Sequence, residues 1–209
     1  MWCFGGGGNI GAMRPIWFRK CASFEEEAEA DREYWAQFSA DEKVALVEEL
    51  KRESAMISNE SHRPGPDHIE FVACLNRQGV HFLIIGAHAI AFHAKPRNTK
   101  DFDVLIEPTR ENAKRVVAAL HDFGFGSLNI TESDLATLGE IVQLGFPPNR
   151  IDIVNHISGV SFEQAWNGRV EGTFGTERAF YIGKLELIRN KEAVARPQDL
   201  ADADLLRRW

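Results

Sequence analysis

Beyond Pro66 the hydrophobic pattern switches repeatedly between a helical period and a strand period. Ile69, Val72, Ala73 and Leu75 predict a helix ending near Gly79. Val80–Ile85 (VHFLII) is a short apolar and β-branched run, the best buried-strand signal in the chain. Gly86 breaks it, and Ala87–His93 reads as a short helix. Asp101–Ile106 (DFDVLI) predicts a second strand, closed by Pro108. Thr109 then caps a helix whose Ala113, Val116, Val117 and Leu120 recur at helical spacing up to Gly124. Residues 126–138 fit neither period. Glu140–Leu144 and Arg150–Val154 read as two more strands around a turn at 145–149, and Ser161 opens a short helix. Two weak strands fall around 169–182, followed by helices over about 183–194 and 197–208, the last opened by Pro197.

The chain before Pro66 is patterned differently. Ser23 with Glu26, and Ser39 with Glu42, are capping boxes that open two short helices, to about Gln37 and about Ser54. Leu46 and Leu50, with Val44 and Val47 beside them, give the second a narrow apolar stripe. Such a hairpin is too small to be stable alone; it either packs on the rest of the molecule or serves as an arm for a partner protein. Residues 58–67 (SNESHRPGPD) are a turn-rich linker. Residues 1–22 begin with a glycine-rich dodecapeptide and read as a flexible tail. Gly5–Gly8 has no strand before it and no Lys-Ser/Thr after it, so it lacks the context of a phosphate-binding loop. The organisation is therefore a tail (1–22), a helical hairpin (23–57), a linker (58–67) and an α/β domain of α+β character (68–209), a mixed sheet flanked by helices.

Composition sharpens this division. The 209 residues are 44% hydrophobic and carry a formal charge of −7. Residues 23–60 hold twelve acids against four bases, a net of −8, so the hairpin carries the whole acidic balance and the rest is nearly neutral. That argues against binding along nucleic acid by charge alone. Cys3, Cys21 and Cys74 are scattered and form no C-x-x-C pair, which fits a reducing compartment and excludes a disulfide framework. No apolar run reaches the ~18–20 residues of a membrane span, and the N-terminus lacks the pattern of a signal peptide. The expected location is the cytoplasm, with no membrane.

The chemistry concentrates between Gly86 and Asp152. Asp101 and Asp103 lie two apart in a strand, so both carboxylates project from one face. Side by side in a core they repel and resist desolvation. A divalent cation removes that conflict, and Mg²⁺ favours one or two carboxylates together with substrate phosphates. Asp152, in the alternating run Arg150-Ile-Asp-Ile-Val154, joins them if its strand is adjacent, and three such carboxylates suit in-line phosphoryl displacement. Gly86 at a strand end lets backbone N–H groups approach a phosphate, with the helix N-terminus behind them.

Gly86-Ala87 followed fifteen residues on by Asp101-Phe-Asp103 resembles the signature of the DNA polymerase β-like nucleotidyltransferase superfamily. The stretches FLIIGAHAIAFHAKPRNTKDFDVLI, NRIDIVNHISGVSFEQAW and LIRNKEAVARPQDLADADLL resemble the minimal (MNT) and AbiEii-type bacterial nucleotidyltransferases of toxin–antitoxin and phage-defence pairs, over about three-fifths of the chain. The resemblance implies Mg²⁺-dependent transfer of a nucleoside monophosphate from an NTP to an acceptor hydroxyl, on a tRNA 3′ end, a protein or a small molecule. It implies Asp101, Asp103 and Asp152 as metal ligands and catalytic carboxylates, and Gly86 and the Ala87 backbone at the triphosphate. Arg97 and Thr99 would contact phosphate or fix the loop. Lys191, followed by Asp199 and Asp202, would meet the nucleotide phosphates. Surface ion pairing is the alternative for Arg97, Lys191, Asp199 and Asp202. Many active members carry Gly-Ser where this chain has Gly86-Ala87. A cognate toxin or antitoxin is the implied protein partner. The other function classes are a non-catalytic antitoxin or scaffold, favoured by Ala87 and the acidic arm, and a nucleotide sensor without turnover. Lys95, Arg97, Lys100, Arg110, Lys114 and Arg115 would suit an anionic acceptor if they share a face. His88 and His93, five apart, read as packing residues, with a place at the site as the alternative for His93.

Overall fold

A mixed sheet of seven strands organises the computed structural model, which describes residues 18–22, 26, 29, 32–33, 36–42, 64–95, 101–145 and 149–209. Its strands are β1 (Phe18–Cys21), β2 (Phe82–Ile84), β3 (Asp101–Ile106), β4 (Ile141–Leu144), β5 (Arg150–Val154), β6 (Val170–Phe174) and β7 (Glu177–Tyr181), in the spatial order β1-β4-β5-β3-β2-β7-β6. β3–β5 and β2–β7 are parallel and the other neighbours antiparallel. The α+β class and the mixed sheet expected from the pattern are what the chain forms.

The helices follow local signals. Pro66 at the first position starts α1 (Pro66–Arg77), which buries His68, Phe71, Val72 and Leu75 at helical spacing. The helix thus begins inside the segment read as linker. α2 (Gly86–His93) packs on β3. Thr109 caps α3 (Arg110–Leu120) by accepting from the Asn112 N–H, and the chain leaves α3 through a π turn to Gly124, at φ +96°. Residues 126–138, which the period left open, form a single 3₁₀ turn and α4 (Glu132–Ala136), nucleated by a Thr131–Asp134 capping box. Ser161 and Gln164 box the start of α5 (Phe162–Asn167). α6 (Lys184–Val194) and α7 (Pro197–Arg208) pack on each other, and α7 also touches α2. Ser39 and Glu42 do form their capping box, with the Glu42 carboxylate 2.8 Å from both the Ser39 N–H and its hydroxyl. The body of the second hairpin helix, residues 43–57, lies outside the described residues.

One expectation is overturned. Residues 18–21, read as part of a flexible tail, are a strand of the sheet. Phe18 pairs with Leu144 and Cys21 with Ile141; Cys21 is buried, and Lys20 reaches Asp134 of α4 at 2.5 Å. A four-residue edge strand has no internal hydrogen bonds of its own, so nothing local announces it. Its hydrogen-bond partners all come from β4, more than a hundred residues away.

The core lies on both faces of the centre of the sheet. Phe71, Leu75, Leu83, Ile84, Ile90, Phe102, Leu105, Ile106 and Phe174 are essentially inaccessible. On one face Cys21, Ile141, Val154, Leu105 and Leu83 stand in register as an apolar rung crossing five strands. Among the described residues no helix is long and apolar enough to cross a membrane.

Candidate active site

The same face carries a second, polar rung. Arg19 pairs with Gln143, Gln143 with Asp152, and Asp152 with Asp103, while Arg150 pairs with Asp101 on the next rung out. β3 and β5 are parallel neighbours, about 4.8 Å apart. The alternation that points Leu105 and Val154 into the core therefore puts Asp101, Asp103, Arg150 and Asp152 together at the other end of the same strands. The register thus puts Asp103 opposite Asp152, with Asp101 on the same face of β3.

Gly86 fixes how closely the helix approaches them. Ile85 donates its N–H to the Asp103 carbonyl at 3.1 Å, extending the β2–β3 ladder, and Gly86 then turns into α2 at φ +60°. That left-handed conformation favours glycine. A Cβ at Gly86 would fall 1.9 Å from Asp103 Oδ2, so the carboxylate lies against the glycine α-carbon at the positive end of α2. Ala87 is buried at the same turn.

Arg150 and Gln143 were not among the residues expected here. The Arg150 Nη2 lies 3.1 Å from Asp101 Oδ2 and 3.0 Å from Asp152 Oδ2. The Gln143 amide donates to Asp152 Oδ1 at 3.3 Å. Both side chains are buried, as is Asp152. The signal for Arg150 was in the sequence: two residues before Asp152 in an alternating strand, it had to share the face. For Gln143 there was none, because its place depends on which strand lies beside β5.

The donor chemistry of the three aspartates suits a divalent cation: carboxylate oxygens on adjacent strands, beside the first turn of a helix. The set also requires positive charge, and Arg150 supplies it as a stand-in cation. With the guanidinium between Asp101 and Asp152, no group of three or more His, Cys, Asp or Glu among the described residues is arranged to hold a metal ion.

Behind β3, on the opposite face, Phe102 stacks on His68 at 5.2 Å and on Phe174 at 4.6 Å, and His88 meets both phenylalanines edge-on. Burial, with the neighbouring His68, pushes His88 down to about 4, and burial lowers His68 as well. Both rings are neutral packing groups that brace the carboxylate strand. His93 donates from Nε2 to the Ile182 carbonyl at 2.7 Å, which accounts for it structurally.

The remaining expected residues separate. Arg97 and Thr99 lie outside the described residues, as does Lys100. Lys191 is largely buried, its Nζ 2.7 Å from Asp199 and 3.7 Å from Asp202, so its charge is engaged in a clasp between α6 and α7. Of the basic residues expected to cluster, Lys95 and Arg115 lie apart. Lys95 sits over the Trp209 ring, whereas Arg115 donates to the Gly79 carbonyl before β2. The start of β2 pairs with the end of β3, at Phe82 and Ile106, so Arg115 stands at the end of the sheet away from Asp101. A shallow cavity of about 380 Å³ between Pro108, Leu138, His156 and Phe162 lies at that far end too.

A scan against protein-family models and a search of curated proteins both find no match to this chain.

Proposed function

We propose that this chain is a nucleotidyltransferase that moves a nucleoside monophosphate from an NTP to an acceptor hydroxyl. The observation that carries the reading is the in-register set of Asp101, Asp103 and Asp152 on adjacent parallel strands, with Asp103 pressed against a glycine that opens a helix. The resemblance of the same residues to the polymerase β-like superfamily, and to its MNT and AbiEii-type members, supports it. The acceptor oxygen attacks the α-phosphorus, its proton passes to the Asp152 carboxylate, and the bond to the β-phosphate breaks as pyrophosphate leaves. Asp101, Asp103 and Asp152 are the residues that would hold Mg²⁺, which when bound would neutralise charge on the phosphates. The N–H groups at Gly86 and Ala87 face the triphosphate; a backbone cradle can serve without the serine hydroxyl. Arg97 and Thr99 complete the phosphate contacts, and Lys191 orients the terminal helices through Asp199. An RNA 3′ end, a protein or a small molecule is the acceptor, a cognate toxin or antitoxin the partner, and the cytoplasm the location.

A second reading, a nucleotide-binding antitoxin or sensor without turnover, is favoured by Ala87 and by the ion pairs that engage Asp101 and Asp152. Incubation with each α-³²P-labelled NTP, Mg²⁺ and total RNA or cell lysate separates the two. Label transfer that disappears in Asp101→Ala/Asp103→Ala identifies the enzyme. Nucleotide binding without transfer identifies the binder, and neither binding nor transfer removes both.

A further inference from the structure

We infer that Arg150 is an internal counter-cation that holds the carboxylate site shut against divalent metal, so that metal enters only by displacing it. The inference rests on the proposed reading of Asp101, Asp103 and Asp152 as a metal site. Arg150 is not an incidental surface pair. It is the first residue of β5, in register with Asp101 and on the same face as Asp152, so the strand itself delivers the guanidinium between the two carboxylates. One nitrogen, Nη2, reaches Oδ2 of both, at 3.1 and 3.0 Å. The arginine side chain is 8% exposed and that of Asp152 5%, so solvent screens that pair little, while Asp101, 30% exposed, lies at the open side of the cluster.

Asp101 and Asp152 are two of the residues that would hold a metal here, and Arg150 engages one oxygen of each. Guanidinium and metal therefore compete for these two carboxylates, and a metal beside a retained Arg150 would meet like charge at close range. Mg²⁺ gives up its water reluctantly, so carboxylates already paired with a guanidinium are poor competitors for it. Gln143, on the other oxygen of Asp152, holds that carboxylate in the orientation that favours Arg150. The resting protein thus carries its own cation, and removing that cation should leave a site with greater affinity for metal.

The test is Mn²⁺ binding to the full chain, read from loss of the free-ion signal in electron paramagnetic resonance, without nucleotide. Wild type, Arg150→Gln, Arg150→Lys and Arg150→Gln/Asp101→Asn are compared. Arg150→Gln is expected to bind one Mn²⁺ at least tenfold more tightly than wild type, and the added Asp101→Asn to abolish that gain. Arg150→Lys keeps the charge, but its point-like ammonium spans the two carboxylates poorly; it should gain severalfold, and it carries the test if Arg150→Gln does not fold. Equal binding in wild type and the Arg150 variants, still lost with Asp101, overturns the lock while leaving the metal site standing. No Asp101-dependent binding in any variant overturns both.

Discussion

A methyl group added at Gly86 would lie 1.9 Å from Asp103 Oδ2 and would sit on a backbone at φ +60°. Strain in that conformation alone costs about 1–3 kcal/mol in a non-glycine residue, and the clash moves the carboxylate as well. Gly86→Ala should therefore lower stability by at least that much in urea titration and abolish label transfer; a variant with wild-type transfer would show that Asp103 is not held here for chemistry. His88 makes the second prediction at this scale. Its pKa falls from 6.5 to about 4 because burial favours the neutral ring. The unfolded chain then binds more protons across that window, so stability falls as pH is lowered from 6.5 towards 4, by at most about 3 kcal/mol from this group. His88→Phe, which keeps a ring against Phe102 and Phe174, should flatten the pH dependence of the urea midpoint; an unchanged slope would place the titration elsewhere, with His68 the next group to vary.

Paired elements show how charge is used in the interior. α6 and α7 are joined by Lys191 and Arg196 on Asp199, which is 2% exposed, with Lys191 also near Asp202 and Arg207 meeting Glu192 further along. Burial alone would raise the Asp199 pKa, but hydrogen bonds from Arg196 and Lys191 outweigh it and hold the carboxyl below its ordinary range. Its contribution is therefore complete above the ordinary aspartate range and is lost as pH falls through the lowered value. Removing one partner of such a buried pair is costly, since the other charge stays buried. Lys191→Met should destabilise the protein by roughly 3 kcal/mol, with Asp199→Asn recovering part of the loss in the double variant. If stability instead holds and NTP affinity drops, Lys191 meets phosphate, as the resemblance alone would have it.

Across the whole molecule, β1 makes Phe18–Cys21 part of the sheet. Removing residues 1–22 strips an edge strand from β4, exposes its unpaired N–H and C=O groups and uncovers Cys21's place in the apolar rung. A fall in Tm of roughly 5 °C or more, with aggregation, is expected; an unchanged melting curve would mean that the strand is dispensable. From Pro66 onward nearly every element was legible, because capping residues, prolines and apolar spacing are local and each acts on its own turn or strand. The same holds for half the site: alternation alone put Asp101 with Asp103, and Arg150 with Asp152. What no local pattern carries is which strands become neighbours. That choice is made by the burial of apolar faces and by ladder hydrogen bonds between distant segments. It recruited Phe18–Cys21 as an edge strand, placed Gln143 beside Asp152, sent Arg115 to the far end of the sheet, and brought Arg150 to Asp101. Residue chemistry along the chain named the carboxylates; packing of β3 against β5 determined that the protein's own Arg150 lies between two of them.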